Sequence, residues 1–200
     1  MADSIYTDIK KRIDQADDGK VFMTKDFADI ANTTTVRKCL GRQVDAGKIR
    51  RILNGVYEKP RYSKLLHEEI PVNPDAVAEA LSRNYHWTIA PCGDVALNRL
   101  GLSTQVPAVW TYISDGPYRE FQWDNVKLSF RHRTNREISN MSEVTALVVE
   151  ALKTLGREWV TEDVIESLRT RLTSADKEII MAEAGTTSEW IYETIRKVCE

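Results

Sequence analysis

Ile5, Ile9 and Ile13 recur at every fourth position, a spacing that places all three on one side of an α-helix, and the repeat predicts a first helix over residues 4–16. Asp17-Asp18-Gly19 ends it, and Val21-Phe22 reads as a short strand. Thr24 is placed to cap a second helix through Phe27, Ile30 and Ala31, with Asp26 favourably in its first turn. A third helix starts from Thr33 or Thr34 and closes at Gly47, and Val36, Leu40 and Val44, with Cys39 beside them, form its apolar stripe. Next comes Asn54-Gly55 between apolar β-formers, the signal for a two-residue type I′ hairpin. That loop pairs Leu53 with Val56, Ile52 with Tyr57, Arg51 with Glu58 and Arg50 with Lys59. Helix, strand, helix, turn, helix and hairpin is the order of a winged helix-turn-helix.

Pro60, Pro71 and Pro74 then interrupt the periodicity, and the break predicts two domains, residues 1–62 and residues 63–200. In the second, helices are expected over 75–85 and 93–100, the latter closed by Gly101, with a short strand at Trp87-Thr88-Ile89 between them. Three strands follow, over 109–113, 119–123 and 126–130. The turn residues Asp115-Gly116 and Asp124-Asn125 at their joints predict an antiparallel meander. After Arg136 the pattern turns helical over 142–155, 161–172, 174–183 and 188–198. The fold class expected is α+β: an N-terminal winged helix-turn-helix, then an α/β domain with a small antiparallel sheet and a helical tail.

Composition adds one asymmetry. From Val36 to Lys64 there are nine Lys and Arg against two acids, a local charge of +7 on a chain whose formal charge is −2, so the other residues carry −9. A basic patch on an acidic chain is an electrostatic footprint for phosphates. On the third helix Thr34, Lys38, Gly41 and Arg42 lie opposite the apolar stripe, with Arg37 at the edge. In winged-helix geometry Thr34, Thr35, Arg37 and Lys38 would face base edges in a major groove. Arg42, Arg50, Arg51 and Asn54 would meet phosphates or the minor groove. The solvated helix face is the bland alternative for the same charges. A second basic run, Arg131, His132, Arg133 and Arg136, joins Arg119 and Lys127 on the predicted sheet; it suits RNA, a nucleotide or the acidic flank of a partner, or equally a solvated sheet edge.

Several classes find no support in the residues. Cys39, Cys92 and Cys199 are odd in number and unrelated in spacing, and His67, His86 and His132 are scattered, so neither a disulfide framework nor a metal site is expected. No leader and no long apolar run is present, which predicts a cytoplasmic protein without membrane contact. Paired carboxylates at motif spacing and a Walker loop are missing, so no enzyme and no cofactor are expected. Gln105 stands where a nucleophile elbow around Ser103 would need its second glycine, and Ser103-Thr104-Gln105 reads as a helix-to-strand connection. Cys92 reads as a buried, inert thiol and Ser114-Asp115-Gly116 as a turn.

The run Gly101-Leu102-Ser103-Thr104-Gln105-Val106-Pro107, then Tyr112-Ile113-Ser114-Asp115-Gly116 and Arg119, together with Asn54-Gly55-Val56-Tyr57, resembles the AbiEi-like antitoxins of type IV toxin-antitoxin systems, in particular the DUF6088 subgroup. The resemblance runs from Ile5 to about Leu172. It implies a bacterial autorepressor that binds double-stranded operator DNA and counteracts a nucleotidyltransferase-like toxin encoded next door, without needing a stable complex with it. Operator recognition then falls on residues 34–42 and 50–54, and a dimer on DNA is one possible form. The alternative is a one-component regulator whose second domain senses a small molecule, with the meander holding its pocket.

Overall fold

A computed structural model describes residues 2–134 and 140–200, with side chains from Ser4 onward, and shows an α+β protein. The chain divides into two compact units, Met1–His86 with Gln122–Asp124, and Trp87–Phe121 with Asn125–Glu200. The division falls after His86, where the sequence predicts it at residue 62, because a helix over Pro74–Tyr85 packs back on the first strand.

In the first unit α1 (Ala2–Gln15) buries Ile9 and Ile13 against α2 (Thr33–Asp45), which contributes Val36, Cys39 and Leu40 to the same core. Fully burying an aliphatic side chain contributes roughly 1.5–3 kcal/mol, so these few positions do much to hold the two helices together. The cap of α2 is Asn32, not Thr33 or Thr34: its side chain accepts from the Thr35 amide at 3.0 Å. Between the helices, β1 (Val21–Met23) leads into a single 3-10 turn, Thr24–Phe27, in place of the expected full helix. Asp26 accepts from the Met23 amide at 2.8 Å and fixes that turn, so the capping role assigned to Thr24 passes to Met23 and Asp26.

β2 (Arg50–Leu53) and β3 (Val56–Glu58) form the hairpin around Asn54-Gly55, and β3 lies between β1 and β2. Its register differs from the two-residue expectation. Leu53 pairs with Val56 as foreseen, but a bulge at Ile52 brings Arg51 opposite Tyr57 and Arg50 opposite Glu58. A second antiparallel hairpin, β4 (Arg61–Ser63) and β5 (Glu68–Ile70), precedes α3 (Pro74–Tyr85), whose Val77, Ala80 and Leu81 are buried.

The second unit is built on a sheet of β6 (Ile89–Pro91), β7 (Trp110–Ser114), β9 (Val126–His132) and the Arg119–Phe121 part of β8 (Arg119–Trp123), in the order β6-β7-β9-β8. This is not an antiparallel meander. β7 and β9 pair in parallel, with Ser114 opposite His132, and β8 lies on the outer edge. Between β6 and β7 runs α4 (Asp94–Arg99). The helical part comprises α5 (Glu143–Leu155), α6 (Glu162–Arg171), α7 (Ser174–Glu183) and α8 (Glu189–Cys199). Val148, Leu152, Leu168, Ile180 and Ile195 meet in its core, with Trp190 and Tyr192 packed against it, whereas Trp159 is 71% exposed. α5 joins helices to sheet, since Ala146 packs with Ala90, Cys92 and Ile113. No helix among the described residues is long and apolar enough to cross a membrane.

Candidate nucleic-acid interface

The face of α2 turned away from Val36 and Leu40 carries Thr34, Arg37, Lys38 and Arg42, all exposed, with Thr35 half-buried in the first turn. Helical spacing sets Thr34, Lys38 and Arg42 in one line and Arg37 beside them. Among the described residues no carboxylate lies within ion-pair distance of Arg37, Lys38 or Arg42. The Arg42 guanidinium sits 5.8 Å from the Tyr6 ring centroid, which steadies it without neutralising it. Of the two arginines on the hairpin, Arg51 is exposed, and its Nη2 donates to Asn54 Oδ1 at 2.8 Å, so both side chains stand together at the hairpin tip.

Arg50 is placed differently. Its Nε donates to Glu58 Oε2 at 2.5 Å, its Nη2 donates to the Ile70 carbonyl at 2.6 Å, and its Nη1 lies 3.4 Å from Glu69 Oε2. The like-charge pair with Lys59 does not form, because the bulge moves Glu58 into that place. Glu58 is 1% exposed, and burial pushes its carboxyl above the usual range even though Arg50 pulls the other way. Arg50 therefore ties the base of the hairpin to β5. Lys59 is likewise spent on the protein: its Nζ donates to the carbonyls of Asp14 and Ala16 and lies 3.2 Å from Asp18 Oδ1. The cationic surplus in the sequence thus separates into internal braces, Arg50 and Lys59, and a solvent-facing group on α2 and the hairpin tip.

The second basic run does not form one face. Strand alternation puts Lys127 and Arg131 on one side of β9, with Leu128 and Phe130 on the other. Phe121 contacts Phe130 edge-on at 6.0 Å, so Arg119, two residues before it on β8, belongs to the side opposite Lys127 and Arg131. Arg133 follows the end of β9, half-buried, and Arg136 lies outside the described residues.

The remaining candidate chemistry resolves into structure. Ser103 Oγ accepts from the Gln105 amide at 3.2 Å, and Asn98 Nδ2 donates to the Ser103 and Gln105 carbonyls, so the segment is a hydrogen-bonded connection out of α4. Ser114 Oγ accepts from the Gly116 amide at 2.9 Å and Asp115 Oδ1 from the Thr88 amide at 2.9 Å, which makes residues 114–116 a turn. Cys92 is buried, and that burial, with nearby Glu150, pushes its thiol up to about 11, far from a reactive thiolate. Among the described residues no group of His, Cys, Asp and Glu is arranged to hold a metal ion.

The class these features define is an α+β protein whose first unit carries both a cationic, solvent-facing helix side and a short hairpin with an exposed arginine at its tip. The chain belongs to a family described as a family of unknown function (DUF6088), whose pattern it matches over residues 8–180. No curated protein matches it. Among solved structures, the RV2827C protein from Mycobacterium tuberculosis is similar over 96% of this chain and 74% of that chain, with 11% identity and a TM-score of 0.47.

Proposed function

We propose that the first unit is a winged helix-turn-helix that binds duplex DNA, and that the chain is a cytoplasmic, non-enzymatic repressor of its own operon and the antitoxin of a type IV system directed against a nucleotidyltransferase-like toxin. The observation that carries the DNA reading is the exposed, carboxylate-free line of Thr34, Lys38 and Arg42 with Arg37, in the same unit as a hairpin whose tip carries the exposed pair Arg51 and Asn54. An α-helix fits the major groove, and its N-terminal residues, here Thr34, Thr35, Arg37 and Lys38, are the ones that reach base edges. Arg42, Arg51 and Asn54 then take phosphates or the flanking minor groove, while Arg50 holds the hairpin in place for them. The antitoxin part rests on the sequence resemblance.

Titration of the upstream operon fragment with the full chain over a series of salt concentrations tests the DNA reading. Arg51→Ala should weaken binding to all duplexes alike and lower the salt slope by about one, whereas Arg37→Ala should lower the preference for the operator over unrelated duplex. Unchanged affinity and slope in both variants would sink the reading. The antitoxin role is tested by co-expression with the neighbouring reading frame: rescue of growth supports it, and continued arrest opposes it.

A further inference from the structure

At the end of the sheet where β7 and β9 run out side by side, the structure brings two exposed aromatic rings together, each followed in the chain by an arginine. In a parallel pair both strands leave at the same end, and their loops frame the place where ligands settle on open sheets. Here the loop after β7 is stiffened twice, by the hydrogen bonds of Ser114 and Asp115 and by Trp87. The Trp87 ring lies so close over Gly116 that a Cβ there would come within 2.3 Å of it. On this shelf, just after Pro117, stands Tyr118, 72% exposed. Its ring centroid is 6.5 Å from that of His132, which is also exposed and terminates β9. His132 Nδ1 lies 2.9 Å from the Gly116 carbonyl, which can only accept, so Nδ1 carries the proton and the ring is held in a fixed orientation with Nε2 pointing away from that bond.

An arginine follows each of these rings in the chain. Arg119 begins β8, exposed, its guanidinium 5.8 Å from the Phe121 ring. Arg133 follows His132, and its Nη1 donates back to the His132 carbonyl at 3.3 Å. A rigidly mounted ring left in water, with a second ring 6.5 Å from it and an arginine following each in the chain, has the composition of a site for an unpaired base and its phosphates. We propose that the carboxyl ends of β7 and β9 form a stacking platform for single-stranded nucleic acid, Tyr118 taking the base face, His132 its edge, and Arg119 and Arg133 the backbone. This platform lies within the second unit and uses none of the residues of the duplex-binding face proposed for α2.

The test uses the full chain and fluorescence anisotropy with labelled oligouridylate and oligodeoxythymidylate at physiological salt. The wild type should bind, Tyr118→Ala should lose about tenfold or more in affinity, and Tyr118→Phe, which keeps the ring, should bind like the wild type. Thermal unfolding of Tyr118→Ala should match the wild type, since the residue is mostly in water. Tighter binding of the RNA strand would assign a 2′-hydroxyl contact and equal binding a base-and-phosphate contact; each supports the platform. Absence of single-strand binding, or equal binding by Tyr118→Ala, overturns it. Single-strand binding lost in Arg37→Ala and Arg51→Ala but kept in Tyr118→Ala also overturns it, while leaving the duplex reading intact. A protein that binds single strands through Tyr118 yet ignores duplex DNA would sink the α2 reading alone.

Discussion

Arg50 and Glu58 face each other across the hairpin, the guanidinium Nε 2.5 Å from a carboxylate that is almost wholly out of water. Removing one member of such a pair leaves the other buried and uncompensated, so Arg50→Ala should cost about 3–5 kcal/mol of stability at neutral pH. Because burial raises the Glu58 pKa from 4.5, this carboxyl favours the folded state most when protonated, below 4.5, and that contribution is lost as pH rises through the raised value. Urea unfolding of Arg50→Ala should therefore show a deficit that shrinks as the solution is acidified. The double variant Arg50→Met, Glu58→Leu should recover most of the stability. A deficit independent of pH would mean that Arg50 acts through its bond to Ile70 instead.

Gln43 sits on the buried side of α2 at 1% exposure, and among the described residues neither its amide oxygen nor its amide nitrogen has a hydrogen-bond partner. An unmet buried amide costs roughly 1–3 kcal/mol. Gln43→Met keeps the length and removes the polar atoms, so it should raise the unfolding midpoint in urea while leaving duplex affinity unchanged. A lower midpoint would show that the amide is satisfied in solution.

Glu183, at the end of α7, caps the start of α5: its Oε2 accepts from the Ser142 amide at 2.8 Å and from Ser142 Oγ at 2.7 Å. Burial raises its carboxyl, but hydrogen bonds from Thr145 and Ser142 outweigh that and hold it below the ordinary 4.5. A lowered carboxyl pKa stabilises the fold above 4.5, and the effect is lost as pH falls through the lowered value. Thermal scans should find Glu183→Gln less stable than the wild type at neutral pH and level with it in strong acid. A constant gap at every pH would refute the cap's electrostatic part.

Two glycines should respond differently to Ala. Gly116 lies under the rigid Trp87 ring, and Gly116→Ala should cost about 1–3 kcal/mol through overpacking. At Gly101 the crowding group is the far end of Arg171, which can swing aside, leaving only the positive φ of 60° to resist. Gly101→Ala should therefore cost about 1 kcal/mol, little changed when Arg171 is also replaced by Ala. Equal responses at both sites, measured by thermal unfolding, would contradict this.

What could be read in the residues follows a physical division. Repeats at helical spacing gave α1, α2, α3 and the helices of the second unit to within a few residues, since each buries a stripe that the sequence displays. Asn54-Gly55 marks the first hairpin, but a bulge shifts the register by one residue without a local signal, so that Glu58 and not Lys59 faces Arg50 is not legible in the residues. The hairpin of β4 and β5 went unseen because its loop, Lys64-Leu65-Leu66-His67, has no glycine or asparagine, and His67 itself adopts φ 55°. Asp115-Gly116 is a true turn, yet it joins strands that are not neighbours, which local residue choice does not reveal. On the α2 face, exposure of Thr34, Arg37, Lys38 and Arg42 follows directly from helical spacing. The platform at Tyr118 and His132 depends on a parallel pairing that no local pattern announces.

That pairing also constrains the order of assembly. β7 is made before β8, but the strand beside it is β9, so the growing chain must hold open a slot next to β7 until a later element arrives. β8 and β9 are joined by only Asp124-Asn125, and so short a loop closes at far less entropic cost than the link back to β7. The two later strands are thus expected to zip together before docking. A fragment that stops short of Val126 would leave the β7 edge with its backbone groups unanswered, an invitation to pair with another chain.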